Sequence, residues 1–396
     1  MSLDALKLPK HLPSLTHEVV VLLEEVHMTI EHVDTAPHSH ELISYHRITK
    51  ADEIRERIQC ASIIIATQCL ITADSLGDAP HLKCVITPTA GTNHIDLEEC
   101  RRRGVKVAKC QGSTSPAVAE HALSMLEYFA ARRKTVMLHN DIRTLDENCK
   151  SSWKRQGSIA YKMQTANEHA PYSLGQEVVG IIVYGNIGKR LEVLCKGLGM
   201  QVLISERKGA SEVRKISNPE TGRLYSRVPF GEVISSATVI VLCSTFTEQL
   251  RNLIDASELN AMRPEAIIIN VSRGGIMNSA AVIQAMREKR ISGASIDVFD
   301  HEPASTADDS PFLAEDTKDL NLTFSPHAGY FSTKTVLTMK SMVKDHVQNF
   351  IPGITPTLTY NFTEIWMLLN FVSGNPVQPP TEDEGGVEVA NFIFLH

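Results

Sequence analysis

Three polar residues follow three short apolar runs in the second half of the chain: Arg273 after residues 266–271, Glu302 after residues 294–298, and His327 after residues 322–324. If those runs are parallel strands of one open α/β sheet, their carboxyl ends gather at a single edge, where such sheets hold ligands. An arginine there can grip a carboxylate and a carbonyl oxygen with a fork of donors. A histidine can give or take a proton near neutral pH, and a carboxylate beside it orients the ring and favours its charged form. The set suits hydride transfer to a 2-oxo acid: Arg273 aligns the carbonyl, His327 protonates its oxygen as the hydride arrives, and the reverse direction oxidises the alcohol. Each residue has a plain alternative, since Arg273 could be a surface ion-pair partner, Glu302 a solvated loop acid and His327 a capped loop histidine. Their joint placement favours the chemical reading.

A hydride donor needs a cradle, and residues 177–191 predict one. The apolar run 178–183, broken only by Gly180, turns through Gly185 and Gly188 into an amphipathic run, 191–198. That is strand, tight turn and helix, the opening of a dinucleotide-binding βαβ unit. Gly185 lets the backbone approach a pyrophosphate, Gly188 lets helix and strand pack closely, and the helix N-terminus faces the negative charge. The G-x-G-x-x-G fingerprint would put a further glycine at 183, where this chain has Val183. A β-branched residue adopts positive φ only at a cost, so the expectation is a turn at negative φ or a weakened site. The next apolar run, 200–205, ends at Glu206, where an acid accepts ribose hydroxyls and repels a 2′-phosphate. This favours NAD. Arg207 and Lys208 follow directly and could instead neutralise that phosphate, which leaves NADP open.

The elements that carry these residues alternate. Short β-branched runs at 19–23, 61–66, 84–86 and 105–108 are separated by helical or turn segments, and runs at 238–242, 266–271, 294–298 and 322–324 continue the pattern. Residues 115–133 read as the strongest helix, with Ser115 as N-cap, Pro116 at N1, and Arg132 and Arg133 at the carboxyl end. Residues 134–176 read as a polar connecting segment around Trp153. The whole is an α/β chain with a doubly wound second half.

Composition bounds the function. The 396 residues are 43% hydrophobic and 21% charged, too long for one core, so two domains are expected. A net charge of −7 with no basic stripe argues against a nucleic-acid partner. Eight cysteines without C-x-x-C pairs fit reduced thiols better than disulfides or zinc, and the N-terminal residues lack a secretory pattern, so the expectation is a cytoplasmic protein. His27, His32, His38, His40 and His46 lack helical metal spacing, and no metal site is expected.

With its N-V-x-R-G, D-V-F-x-x-E-P and P-H motifs in order from residue 61 to 350, the chain resembles the D-isomer-specific 2-hydroxyacid dehydrogenases, which include glyoxylate and hydroxypyruvate reductases. The resemblance implies that Arg273, Glu302 and His327 are the catalytic arginine, glutamate and histidine. It implies that Ala90 and Gly91 hold the substrate carboxylate, that Asn186 and Ile187 lie on the pyrophosphate, and that Asp297 meets the nicotinamide carboxamide. It further implies a Rossmann-type cofactor domain, residues 115–330, inserted into a smaller flavodoxin-like substrate domain made of residues 1–114 and 331–353, and a homodimer. A glutamine, not Glu302, would stand in the related formate dehydrogenases. The corepressor C-terminal-binding proteins share fold and trio, so an NAD(H)-sensing binding protein is the alternative function.

Residues 354–396 depart from the pattern. The Phe-x-x-Gly turn at 350–353 is echoed at 371–374, the apolar run 365–369 is too short to span a bilayer, and 380–386 read as disordered by composition. No membrane partner is expected. The glycosylation triplet at Asn361 reads as chance without a secretory signal.

Overall fold

Why the central strands form is visible in their burial: they are short, rich in β-branched residues and covered on both faces, the condition for parallel sheets. The computed structural model describes residues 5–31, 33–126, 134–143, 151–164, 168–217 and 224–351. The first sheet holds β1 (His17–Leu22), β2 (Ser39–Ser44), β3 (Ile63–Ile65), β4 (Cys84–Thr87) and β5 (Lys106–Lys109), all parallel in the order β2-β1-β3-β4-β5. That is the flavodoxin-like order. The second sheet holds β6 (Val178–Ile182), β7 (Gln201–Ser205), β8 (Arg214–Ser217), β9 (Leu224–Val228), β10 (Val239–Leu242), β11 (Ile267–Asn270), β12 (Gly293–Ile296) and β13 (Leu322–Phe324). Its order is β13-β12-β11-β10-β6-β7-β9-β8, parallel except for the β8–β9 pair. Without β8 and β13 this is the doubly wound dinucleotide-binding order, with its switch point between β6 and β10.

Each sheet has apolar cover on both faces. Ile64, Val85, Ile54 and Ile58 build one layer of the first sheet, and Val20, Leu22, Ile63 and Ile86 the other. Met339, Val343 and Val347 of the helix Thr333–Phe350 complete that second layer, so the chain returns to its first sheet after leaving the second. Ser332 caps this helix through its side chain to the Thr335 amide. Around the second sheet, Ile240, Ile268 and Ile296 face one core, while Val179, Ile181 and Ile269 meet Ala122 and Leu126 of the helix Ser115–Leu126 on the other.

Several expectations need correction. Ser115 is the first residue of its helix, and the Val118 amide bonds the Thr114 carbonyl, so Thr114 stands at the N-cap position. Arg132 and Arg133 lie outside the described residues. The segment expected to connect is partly helical, at Thr135–Arg143 and Ser152–Gln156; Ser151 caps the second of these, and Gly157 ends it at φ 75°. Strands β2, β8 and β9 were not expected at all. Being polar and partly exposed, they lack the apolar run that marks a central strand. Seven cysteines are free thiols, and Cys149 and residues 354–396 lie outside the described residues. Among the described residues no group of three His, Cys, Asp or Glu side chains could hold a metal, and no helix is long and apolar enough to cross a membrane.

Candidate active site

The carboxyl ends of both sheets face one cleft of about 1740 Å³. Ala90 and Gly91, which follow β4, line it on the side of the first sheet. Gly185, Asn186, Ile187, Glu206, Arg207, Arg273, Asp297, Glu302 and His327 line it on the side of the second. Gly188 sits one step behind, where its role is packing: a Cβ there would stand 3.0 Å from both Ile181 Cγ2 and the Val183 carbonyl oxygen.

The catalytic candidates meet. His327 Nδ1 lies 2.6 Å from Glu302 Oε2, and Glu302 Oε1 accepts the Phe299 amide at 2.9 Å. His327 takes the left-handed backbone conformation, φ 51°, and its amide is held by the carbonyls of Asp297 (2.8 Å) and Ser325 (3.0 Å). Burial alone would raise the Glu302 pKa, but the His327 hydrogen bond and charge, the Phe299 amide and the Arg273 charge outweigh it, so the carboxyl lies below its ordinary value. Arg273 lies half-buried against the Gly91 turn, with Nη1 donating to the Ser272 carbonyl at 2.8 Å. Burial lowers its pKa and Glu302 opposes that; a guanidinium stays charged regardless. Its loop is itself tied down, because the Asn270 side chain accepts from the Ser272 amide and donates to the Arg273 carbonyl, both at 3.0 Å.

Asp297 is more occupied than the sequence suggests. Its Oδ1 accepts from the Ser325 hydroxyl (2.6 Å) and the Ala328 amide (3.0 Å), with His121 Nε2 at 3.3 Å, and its Oδ2 accepts from the Gly329 amide at 3.1 Å. Burial would raise its pKa, but His121 and Ser325 lead the contacts that hold it down. The carboxylate thus fastens the loop that carries His327. Neither His121 nor Ser325 stood out in the sequence, since both act through a contact between distant segments.

The glycine turn fits a dinucleotide. Gly185 caps the helix Asn186–Gly197, and a Cβ on it would meet nothing within 4 Å, so the turn opens onto the cleft beside the helix N-terminus. Val183 departs from expectation: it adopts φ 68°, so the chain makes the glycine-type turn with a valine. Its side chain packs against the core of the second sheet, and its carbonyl accepts the Cys243 thiol at 3.2 Å. Strain of about 1–3 kcal/mol at such a residue persists where surroundings over-determine it.

Glu206 ends β7 as expected but is enclosed. Its Oε1 accepts the Arg207 amide at 3.0 Å, Arg214 Nε lies 2.7 Å from Oε2, and Arg227 Nη1 lies 3.9 Å from Oε1. Of the two following bases, Lys208 is turned away onto Glu258 at 2.8 Å, and only Arg207 lines the cleft.

A doubly wound domain opening a glycine turn onto a cleft, with arginine, glutamate and histidine at three strand ends, defines a nicotinamide-dinucleotide oxidoreductase. The family model for the D-isomer specific 2-hydroxyacid dehydrogenase NAD binding domain matches residues 135–329. A glyoxylate reductase of Pyrococcus furiosus is 30% identical over 287 residues, 71% of this chain and 76% of that protein. A glycerate dehydrogenase of Methylorubrum extorquens is 29% identical over 315 residues, 79% of this chain and 90% of that protein. Among solved structures, a D-lactate dehydrogenase of Aquifex aeolicus superposes with TM-score 0.64 at 20% identity, covering 92% of this chain and all of that one (100%). The chain belongs to the D-isomer specific 2-hydroxyacid dehydrogenases. It is an oxidoreductase that moves a hydride between a nicotinamide dinucleotide and a small 2-oxo or D-2-hydroxy acid.

Proposed function

We propose that this chain is a reductase of glyoxylate, hydroxypyruvate or a similarly small 2-oxo acid, with Arg273, Glu302 and His327 as its catalytic set. The observation that carries the reading is the 2.6 Å contact of His327 Nδ1 with Glu302, made beside Arg273 in the cleft that the glycine turn lines. The bound cofactor supplies the hydride. Arg273 grips the substrate carboxylate and carbonyl oxygen, with the Ala90–Gly91 turn offering backbone amides to the same carboxylate. With Nδ1 committed to Glu302, Nε2 of His327 is the atom that gives its proton to the carbonyl oxygen in reduction and takes it back in oxidation. Glu302 holds the ring in place and balances the imidazolium charge. Ile48, Tyr330 and Met339 line the same cleft and bound the space for the substrate's side chain. Asn186, Ile187 and the Gly185 turn hold the pyrophosphate, and Asp297 lies where the carboxamide would sit.

The same reading assigns residues 1–114 and 331–353 to the substrate domain and 115–330 to the cofactor domain; the packing of Met339, Val343 and Val347 on the first sheet supports it. A homodimer in the cytoplasm completes the proposal, and free, buried cysteines suit a reducing compartment. Following NADH absorbance with glyoxylate, hydroxypyruvate and phenylglyoxylate tests it. Turnover with at least one acid is expected. Tight NADH binding without turnover of any would favour a nucleotide-sensing protein of the same fold instead.

A further inference from the structure

We propose that Thr89 is a positioning residue for the reaction: its hydroxyl, the last link of a one-way hydrogen-bonded chain from His94, holds the Gly91 carbonyl and so sets the turn that receives the substrate carboxylate. The inference rests on the reading of Ala90 and Gly91 as that turn and deepens it. Thr89, Ala90, Gly91 and His94 all line the cleft, and Thr87, the last residue of β4, is fully buried.

Counting protons fixes the direction of the chain. His94 Nε2 lies 3.3 Å from the Ala66 carbonyl oxygen and 3.3 Å from Thr87 Oγ1. A carbonyl can only accept, so Nε2 carries the proton and the Thr87 hydroxyl beside it accepts. The Thr89 amide, 3.4 Å from Thr87 Oγ1, meets the other lone pair of that oxygen. Thr87 has its own hydrogen left to give, and Thr89 Oγ1 stands 2.8 Å away to take it. Thr89 then donates to the Gly91 carbonyl at 2.6 Å. Hydroxyls that accept one proton and donate another polarise one another, which strengthens each link.

A threonine at the end of a strand often does no more than bond the backbone two residues on. Thr89 makes that bond, but a local turn accounts for neither Thr87 nor His94. The chain ties the turn back to Ala66, just after β3, and the Cys110 amide, just after β5, bonds the carbonyls of both Thr87 and Thr89 at 3.1 Å. The part so held is the part that meets the substrate fork, since a Cβ on Gly91 would stand 2.7 Å from Arg273 Nη2. Arg273 is fixed from its own loop by the Ser272 carbonyl, so releasing the Gly91 carbonyl displaces the turn amides and leaves the guanidinium in place. Those amides grip the carboxylate in ground state and transition state alike, and losing such an interaction raises KM without lowering kcat.

Thr89→Val removes the hydroxyl at nearly constant shape, Thr89→Ala removes it without a second methyl, and Thr89→Ser keeps it. The assay on the full chain is steady-state reduction of whichever of glyoxylate, hydroxypyruvate and phenylglyoxylate the wild type turns over fastest, with oxamate as competitor and the NADH Kd from fluorescence. Thr89→Val and Thr89→Ala should raise KM and the oxamate Ki together, on the order of tenfold, the scale of one strong hydrogen bond. Their kcat should stay within about threefold of wild type and their NADH Kd should not change. Thr89→Ser should recover KM. An unchanged KM in both hydroxyl-free variants, no recovery with serine, or a loss of NADH affinity that parallels the loss of turnover overturns the positioning role and leaves the dehydrogenase reading standing. A wild type that reduces none of the three acids overturns the reading of the turn as well.

Discussion

Gly91→Ala isolates the placement of the Arg273 fork. The backbone at Gly91 is not in the left-handed region, so alanine meets no conformational penalty there, and apart from Arg273 the nearest atom to the new methyl is Asn93 Oδ1 at 3.5 Å, an ordinary contact. The obstacle is Arg273 itself: a Cβ would stand 2.7 Å from Nη2, and reaching an ordinary 3.4 Å contact means a retreat of 3.4 − 2.7 = 0.7 Å. The guanidinium cannot shift freely, because Nη1 is held to the Ser272 carbonyl at 2.8 Å and the loop is clamped by Asn270. Misplacing a positioning group by ~1 Å costs on the order of a hundredfold in rate, so a retreat of this size should lower kcat/KM for the oxo acid roughly 10- to 100-fold. That corresponds to ~1.4–2.7 kcal/mol of transition-state stabilisation. Steady-state reduction of hydroxypyruvate, with NADH affinity by fluorescence and a thermal melt, makes the assay. Affinity for NADH and the melting temperature should change little, since the methyl touches neither the glycine turn nor a core. A kcat/KM within about threefold of wild type, under ~1 kcal/mol, would refute the reasoning. So would an equal loss of NADH affinity, because it would place the damage outside the substrate fork.

Arg273→Ala should remove nearly all turnover while keeping most of the affinity for NADH; equal loss of nucleotide binding would show that the residue serves the cofactor instead. Glu302→Gln removes a carboxyl whose folded pKa lies below its ordinary value, so the stability it contributes is full above pH ~4.5 and is lost as pH falls through the lower folded value. Melts in acid should therefore show the wild type losing stability faster than Glu302→Gln below that point, and parallel profiles would mean the carboxylate is uncoupled. At Val183, glycine relieves the positive φ while alanine keeps the strain and loses packing, so Val183→Gly should be more stable than Val183→Ala by ~1 kcal/mol. Denaturant midpoints giving the opposite order would show that side-chain packing, not backbone conformation, dominates the turn.

The central strands and the gathering of Arg273, Glu302 and His327 at one cleft were legible because both depend on local pattern. A parallel strand buried on two faces must be a run of apolar β-branched residues, as at β6, β10 and β11, and the sheet rule then puts whatever follows each run at the ligand edge. Arg273, Glu302 and His327 needed no more than that. The edge strands β2 and β8, and β9 beside β8, escaped because a strand with an exposed face can be polar, and its place is fixed by the neighbour it pairs with.

Other properties came only from segments far apart in sequence. Val183 accepts a left-handed turn because the second sheet's core packs against its side chain, which no local preference for glycine anticipates. His121, on the helix Ser115–Leu126, reaches Ser325 after β13, and Arg214 and Arg227 reach Glu206 through the pairing of β8 with β9. The sequence by itself determined that an acid ends β7. The tertiary structure decided what that acid can do, because the charge available to a ligand depends on which partners fill a carboxylate's lone pairs, and those partners are chosen by strand pairing rather than by neighbours along the chain.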